Sequence, residues 1–562
     1  MDAHLKTPLV AQCLTRSDSD GGHSDGVITA AIETLLATKK GLSSHLITVS
    51  THDGLVNLTG LTDNLLARKR AEDIALAVRG VRGVTCTVAV RTDEVGDAEL
   101  QRDVARALAD DPATDHYRVH CTVARGVVTL TGLVQSWAEK QLALRVVQGV
   151  RGVRAFVADH LTIRGGEMIK SDEDITTQVR ELLDWDIRVN GALVEVRTAE
   201  QVVHLTGTVG TAAEKDRLVA IAYQTGATRV DVRNLLVAYW ALGRAIRREK
   251  VASKTDEAIS RAVRDTLRFN PRVRASEILV QVHDGVVTLA GTVRNLRTKQ
   301  DTEQDVRHVV GVANVHNLLK VRPERPVPDE DICSTIAAAL ARDPFMGHCE
   351  VQVQVHGGQA LLSGHVRTHF EQEQASDVAA GVSGVVDVNN RLEVSGVTAK
   401  SGFTSSFSSE NKLRPAVTYY DHALGARIRA RYCWSASLHD QDLDVQVESG
   451  RATLTGTVDT RLDRKNAAQV AHEAGAREVN NHLLVLTTSP IHDERLTAAK
   501  AHGSLAELER PRLGPLPSHG CPAQCTHQLG CPSVRAGSRC RYDAGRLEVQ
   551  LLRLPHRDLA PR

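Results

Sequence analysis

The stretch that decides the fold is Val-Val-Thr-Leu-Thr-Gly at residues 127–132, a short run of β-favouring residues that closes on glycine. The pattern returns at 55–60, 202–207, 286–291, 360–364 and 452–456. The closing glycines lie about 70 to 90 residues apart, which exceeds the unit of a solenoid and is enough for one small domain. The sequence therefore predicts six domain-sized repeats, which we number 1 to 6 in chain order.

A tight turn and a second extended segment precede each glycine run, which predicts a β-hairpin. In repeat 2 the extended residues 117–124 are followed by Arg125-Gly126 and then by the glycine run. Glycine in such a turn supplies the positive φ that short hairpin loops require. Repeat 3 has Glu200-Gln201 at this place, so we expect a different type of turn there.

Amphipathic helices are predicted on both sides of each hairpin. In repeat 2 the spacing of Leu142, Val146 and Val150 predicts the helix after the hairpin, and residues 259–267 of repeat 4 predict the helix before it. A last extended run, such as residues 314–321, follows the second helix. The order α-β-β-α-β predicts an α+β fold, in which each repeat is a three-stranded sheet with two helices packed on one face.

The repeated motifs resemble those of the BON domain family. The hairpin pattern is [Asp/Gly]-Gly-x-[Val/Ala]-x-Leu-x-Gly, and the exit pattern Gly-Val-x-x-Val-x-Asn-x-Leu-x-Val stands at 311–321 and 384–394. The predicted boundaries are 1–23 for an N-terminal extension, 24–92, 94–165 and 170–239 for repeats 1 to 3, 240–254 for a basic linker, 255–322 and 328–395 for repeats 4 and 5, 396–418 for a flexible linker, 419–488 for repeat 6, and 489–562 for a disordered tail.

The resemblance implies a non-enzymatic, multivalent binding protein that contacts phospholipid or cell-envelope components during osmotic or other stress. Six near-equal copies also favour binding over catalysis, because linked weak sites gain affinity through effective concentration. One alternative is a scaffold for partner proteins, built as an extended array of docked domains. Potassium sensing, known from some relatives, is another alternative, and it would require converging backbone carbonyls.

Composition excludes several other classes of function. The 69 Lys and Arg residues balance 68 Asp and Glu, and the chain has only four Trp, seven Tyr and six Phe, so we expect no nucleic-acid partner. No apolar run is long enough for a transmembrane segment. The absence of a secretory leader predicts a cytoplasmic location, with the periplasm as the alternative if the start codon lies upstream. The oligomeric state stays open.

Candidate site residues recur in register with the glycines. Eight residues after each one stand Arg68, Lys140, Lys215, Lys299, Gln372 and Arg464, and we interpret the five cations as possible lipid or anion contacts or as a solvated helix face. We interpret the six glycines as structural turn residues that release the chain into the second helix: Gly60, Gly132, Gly207, Gly291, Gly364 and Gly456. We expect no cofactor, no catalytic set and no metal site, because the histidines lack metal-binding spacing. The tail cysteines 521, 525, 531 and 540 could ligate zinc, but a disordered tail is the preferred interpretation.

Overall fold

The repeat is visible throughout the part of the chain that the structure describes. The computed structural model describes residues 24–38, 42, 46–92, 95–164, 170–242, 250, 254–273, 275–394 and 413–486. The predicted N-terminal extension, the tail from 489 and most of both linkers lie outside the described residues. Among the described helices, none is both long enough and apolar enough to cross a membrane.

Two helices flank the hairpin of every repeat. The first helices are α1 (Asp25–Thr38), α3 (Asp97–Asp110), α5 (Asp172–Trp185), α7 (Asp256–Arg268), α9 (Asp329–Arg342) and α11 (Leu413–Trp434). The second helices are α2 (Leu65–Leu76), α4 (Trp137–Gln148), α6 (Ala212–Gln224), α8 (Leu296–Arg307), α10 (His369–Gly381) and α12 (Arg461–Glu473). An Asn, Ser or Thr side chain caps each second helix by accepting a backbone N–H three residues on.

The strands form six small sheets. Those of repeats 1 and 2 are β1 (Ile47–His52), β2 (Leu55–Thr62), β3 (Gly83–Cys86), β4 (Ala89–Val90), β5 (Arg118–Ala124), β6 (Val127–Val134) and β7 (Ala155–Ile163). Those of repeats 3 and 4 are β8 (Val194–Ala199), β9 (Val202–Val209), β10 (Arg229–Asp231), β11 (Leu235–Val237), β12 (Ile278–His283), β13 (Val286–Val293) and β14 (Asn314–Val321). Those of repeats 5 and 6 are β15 (Val351–His356), β16 (Gln359–Val366), β17 (Asp387–Val394), β18 (Asp442–Glu448), β19 (Arg451–Val458), β20 (Glu478–Asn481) and β21 (Leu484–Val485).

The second hairpin strand lies in the middle of each sheet. It pairs antiparallel with the first strand and parallel with the last, as β6 does with β5 and β7. In repeats 1, 3 and 6 the last strand is divided into two short pieces. Alternation along β6 buries Val128 and Leu130 completely beneath the helices. The predicted α+β repeat is confirmed, and each of the six sheets has its own apolar core.

Repeats 1 to 3 pack on one another through the starts of their second helices. Leu65 of repeat 1 enters the core of repeat 2, and Ala212 of repeat 3 enters the core of repeat 1. Trp137 of repeat 2 stacks on Tyr223 of repeat 3, with ring centroids 5.5 Å apart. These contacts close a cycle, so the helices are shared between neighbours. The scaffold alternative assumed an extended array of docked domains, whereas repeats 1 to 3 bury helix surface against one another in this cycle.

The two halves of the chain are joined by one recurring backbone contact. The donor is the backbone N–H of the residue that precedes the glycine following a second helix. The acceptor is the backbone carbonyl of the last residue of a first helix in the other half of the chain. Arg79 donates to Trp434 (3.3 Å), Arg151 to Arg342 (2.7 Å) and Val310 to Trp185 (2.9 Å). Repeats 1 and 6, 2 and 5, and 3 and 4 are paired in this way.

The second predicted linker is shorter than expected. Helix α11 begins at Leu413, inside the range 396–418 that the Ser- and Gly-rich composition assigned to a flexible linker. The tract up to Gly402 and the serines around 405–409 carry that composition, whereas residues 413–418 continue directly into the helical residues of repeat 6. The linker prediction is therefore wrong for its last six residues.

Candidate functional site

The six recurring glycines lie inside strands and not at turns, so the predicted turn role is wrong. Gly132 lies within β6, which continues two residues further to Val134. Its φ is +130°, and a Cβ built there would lie 2.1 Å from the carbonyl oxygen of Arg118. At all six positions the corresponding distance is between 2.0 and 2.5 Å. Glycine is required because the first strand's backbone approaches too closely for any side chain.

The hairpin turns are held by an aspartate that sequence reasoning missed. Asp97, the first residue of α3, accepts the N–H groups of Arg125 (2.8 Å) and Gly126 (3.0 Å) with its two carboxylate oxygens. The other repeats make the same pair of contacts through Asp25, Asp172, Asp256, Asp329 and Asp421. Each aspartate stands 28 residues before the turn, and this constant spacing was the available signal.

The turn of repeat 3 belongs to the same type as the others. Glu200 and Gln201 both have positive φ, at 52° and 59°, as Arg125 and Gly126 do in repeat 2. The different turn that we expected from the missing glycine is therefore wrong. Asp172 supplies the reason, since its carboxylate accepts both turn N–H groups and offsets the strain of a left-handed non-glycine residue.

Replacing Asp97 with alanine is expected to loosen the hairpin of repeat 2. Backbone hydrogen bonds from Arg125 and Gly126 hold the pKa of Asp97 below its ordinary value. The stabilisation is therefore complete above the ordinary pKa of about 4 and is lost as pH falls through the lowered one. Hydrogen exchange of β5 and β6 at neutral pH should quicken in Asp97→Ala, and the difference from the parent protein should shrink in acid.

Glu99→Ala is the matched control for Asp97→Ala. Glu99 lies in the same helical turn and is exposed, so its replacement removes the same charge near the helix start. If both variants exchange alike, the helix dipole and not the turn contact explains the effect.

Four of the five recurring cations contact the last strand of their own repeat through their side chains. Lys140 Nζ donates to the carbonyl of Leu161 (2.9 Å), and Lys215 Nζ donates to that of Leu235 (2.7 Å). Arg68 and Arg464 make the corresponding contacts to Cys86 and Asn481. Gln372, the uncharged member of the series, donates to Leu392 (2.8 Å) in the same way. The position thus joins the second helix to the sheet, and a glutamine serves as well as a cation.

In repeats 4 to 6 this join is reinforced from the strand side. Asn390 Nδ2 donates to the backbone carbonyl of Gln372 (2.6 Å), and Asn481 donates to that of Arg464 (2.8 Å). Lys299 takes part through its backbone carbonyl, which accepts from Asn317 (2.9 Å). The asparagine of the exit pattern therefore has a structural role, because its side chain joins the last strand to the second helix.

The outward faces of the sheets carry exposed leucines. Leu55, Leu236, Leu279, Leu318 and Leu484 are each between 57% and 68% exposed. Each one stands next to a buried residue of the chain, so alternation places it on the face away from the helices. Apart from Tyr420 and Trp240, the exposed large apolar side chains of the described residues lie on strands or one residue beyond a strand end.

A polar cavity of about 430 Å³ lies where repeats 2, 3 and 4 meet. Its wall includes Arg188 and Arg217, which are both bound by the buried Asp186. Arg272, also in the wall, donates to Asp111 with both terminal nitrogens. These three guanidinium groups therefore each have a carboxylate partner within the protein, and Asp186 is shared by two of them.

One group of backbone carbonyls converges, but a lysine fills it. Lys250 Nζ donates to the carbonyls of Leu183 (2.6 Å), Asp186 (2.6 Å) and Val189 near the end of α5. Burial lowers the pKa of the Lys250 ammonium to about 8. The ammonium occupies the place that a potassium ion would need, so this group gives no support to ion sensing.

Comparisons with known proteins agree with the repeat structure. The sequence profile described as "BON domain" matches residues 24–92, 96–165, 171–239, 255–323, 328–396 and 420–487. Osmotically-inducible protein Y of Escherichia coli (strain K12) is 33% identical over 144 residues, which cover 25% of this chain and 72% of that protein.

Two solved structures of CdsD, a structural protein of the type III secretion system of Chlamydia trachomatis, were also found. The first, of the C-terminal domain, is 17% identical, covers 38% of this chain and 91% of its own, and gives a TM-score of 0.10. The second is 16% identical, covers 39% and 91%, and gives a TM-score of 0.11.

Proposed function

We propose that this chain, which belongs to the BON domain family, is a non-enzymatic protein that binds phospholipid surfaces of the cell envelope during osmotic stress through its outward sheet faces. The observation that carries the proposal is the placement of the exposed leucines. The helices are largely used to join the repeats, whereas the sheets leave apolar side chains in solvent. Similarity to an osmotically inducible protein supports the link to osmotic stress.

Repeat 4 has the most developed of these surfaces. Leu279, Ala290 and Leu318 are paired across its three strands and form one continuous apolar row. Lys320 follows two residues after Leu318 on the same face and is exposed. Leucines that enter the interface beside a cation that meets a phosphate are the arrangement expected for a peripheral lipid contact.

Many such contacts are needed because each one is weak. Burying the exposed part of one leucine contributes about 1 kcal/mol, which corresponds to about fivefold in partition. The repeats belong to one compact unit, so after the first contact those leucines that face the same surface act at a high effective concentration. The cations Arg68, Lys140, Lys215, Lys299 and Arg464 lie near the last strands, and we propose that they add attraction to anionic headgroups.

Flotation with vesicles tests the proposal. The full chain is expected to float with anionic vesicles, more weakly with neutral ones, and less as salt is raised. Serine at Leu55, Leu236, Leu279, Leu318 and Leu484 together should abolish flotation. Glutamine at the five cations removes charge and can keep the strand contact, as Gln372 does, so this variant should lose the preference for anionic vesicles.

Tyr420→Ser is the matched control for the leucine variant. Tyr420 is 51% exposed but lies on α11, so its replacement should leave flotation unchanged. Circular dichroism and melting confirm that each variant is folded. A parent protein that stays at the bottom with every vesicle would contradict lipid binding, and the scaffold alternative would then be tested with envelope proteins.

A further inference from the structure

Repeat 5 brings together three side chains that ligate metals. The Nε2 of His348 lies 3.7 Å from Glu371 Oε1, and the Sγ of Cys349 lies 3.9 Å from Glu371 Oε2. All three ligand atoms lie within 4.8 Å of one another. Ligands held at 2.0 to 2.3 Å in a tetrahedral zinc site are about 3.3 to 3.8 Å apart. The group needs only a small contraction to reach that geometry.

The carboxylate of this group is already fixed in place. Glu371 is buried in the first turn of α10, where its Oε2 accepts the N–H of Arg367 at 2.7 Å. Such a hydrogen bond orients a ligand from outside the coordination sphere and is typical of metal sites. His348 and Cys349 immediately precede β15, and both line a surface cleft together with His365.

The other repeats lack this combination. At the same distances from the strand glycine, repeat 2 has His116, Tyr117 and Glu139, which lack a sulfur ligand. Repeat 6 has Asp440, Gln441 and Asp463. An acidic residue here serves the helix cap in several repeats, so the carboxylate alone has a structural reason. Among the six repeats only repeat 5 has a cysteine at the place of Cys349, and only repeat 2 shares a histidine at the place of His348.

A second group in repeat 4, Asp256, His283 and Asp284, has an ordinary explanation. Asp256 is the aspartate that accepts the turn N–H groups of Asp284 and Gly285, as its equivalents do in all six repeats. His283 and Asp284 are exposed at the hairpin. Repeat 4 therefore carries no metal proposal.

We propose that His348, Cys349 and Glu371 bind one divalent transition-metal ion, with zinc the best match to a mixed nitrogen, sulfur and oxygen set. The site goes beyond the lipid-binding function and does not depend on it. Burial, followed by the charge of Glu371, raises the pKa of the Cys349 thiol to about 11, so the thiol is protonated until a metal displaces the proton.

Cobalt titration tests the proposal, because a thiolate bound to Co²⁺ gives a charge-transfer absorption that other ligands do not. The protein is the full chain with Cys521, Cys525, Cys531 and Cys540 replaced by serine, treated with a chelator and a reductant. One equivalent of Co²⁺ should produce the band, and Zn²⁺ should remove it. Cys349→Ser should eliminate the band, and His348→Ala and Glu371→Gln should weaken binding at least about tenfold.

His116→Ala is the matched control, because it removes the equivalent histidine of repeat 2. It should leave the cobalt band and the affinity unchanged. Melting of each variant without metal separates loss of a ligand from loss of fold. A folded parent protein without the band would overturn the proposal, and so would a band that survives in Cys349→Ser. Flotation is read separately, so either proposal can fail without the other.

Discussion

Gly132→Ala is expected to unfold repeat 2. The new Cβ would lie 2.1 Å from the carbonyl oxygen of Arg118, and the backbone φ of +130° is strained for any residue with a side chain. Neither atom can retreat, because β5 and β6 are paired on both sides of the contact. We expect a loss of more than about 4 kcal/mol, which is exceptional for one substitution. Denaturant unfolding and hydrogen exchange localised to repeat 2 measure it.

Gly96→Ala is the control in the same repeat. A Cβ at Gly96 meets nothing within 4 Å, and its φ is −60°. Since Gly96 occupies the N-cap of α3, the change should cost about 1 kcal/mol or less. If Gly132→Ala unfolds at the same denaturant concentration as Gly96→Ala, the glycines have a role other than the close approach of the strands.

The second large effect is expected from Asp186→Ala, at the contact between repeats 3 and 4. The Asp186 carboxylate is buried and accepts from Arg188 (2.8 and 2.7 Å) and from Arg217 (2.9 Å). Alanine would leave two guanidinium groups without this partner, which typically costs about 3 to 5 kcal/mol for a buried pair. Both arginines keep about a third of their surface exposed, so the lower end is expected.

The effect of Asp186 should depend on pH in a defined direction. Burial raises the pKa of Asp186, but the hydrogen bonds and charge of Arg188, together with Arg217, outweigh it and hold the pKa well below its usual range. The stabilisation is therefore full above about pH 4 and disappears only as pH falls through the lowered pKa. Asp184→Ala, an exposed change near the end of α5 and two residues before Asp186, should alter the free energy of unfolding by less than about 0.5 kcal/mol.

Local structure was largely predictable because the same short-range sequence patterns recur in each repeat. The hairpins, both helices and the last strand follow from short-range patterns such as residues 127–132. The turn type at Glu200-Gln201 was predicted wrongly because it was inferred from the two turn residues alone. Asp172, 28 residues earlier in the chain, stabilises the turn. The strand contacts of the cations were missed for a similar reason. Lys140 looks solvated along its helix, yet its acceptor lies 21 residues on, in the last strand.

The way the repeats pack against one another could not be predicted from the sequence pattern of the individual repeats. Leu65 and Ala212 look like ordinary residues of their own helices, and only the assembled body shows that they complete a neighbour's core. The metal-ligating group of repeat 5 is hidden in the same way, since Glu371 stands 22 residues after Cys349. Residues shared by all repeats, such as the strand glycines and the turn-binding aspartates, stabilise the fold of each domain. Residues that differ between repeats are therefore the better candidates for function.

The most direct test of lipid binding through the sheets is to remove the outward leucines one repeat at a time. Partition of the full chain onto anionic vesicles is measured while serine replacements are added one repeat at a time. Leu55 is replaced first, then Leu236, then Leu279 and Leu318 together, and finally Leu484. Each step is expected to lower the partition coefficient by about fivefold per leucine, so the losses multiply. Partition that is unchanged after all the replacements, in a protein that remains folded, would contradict the central claim.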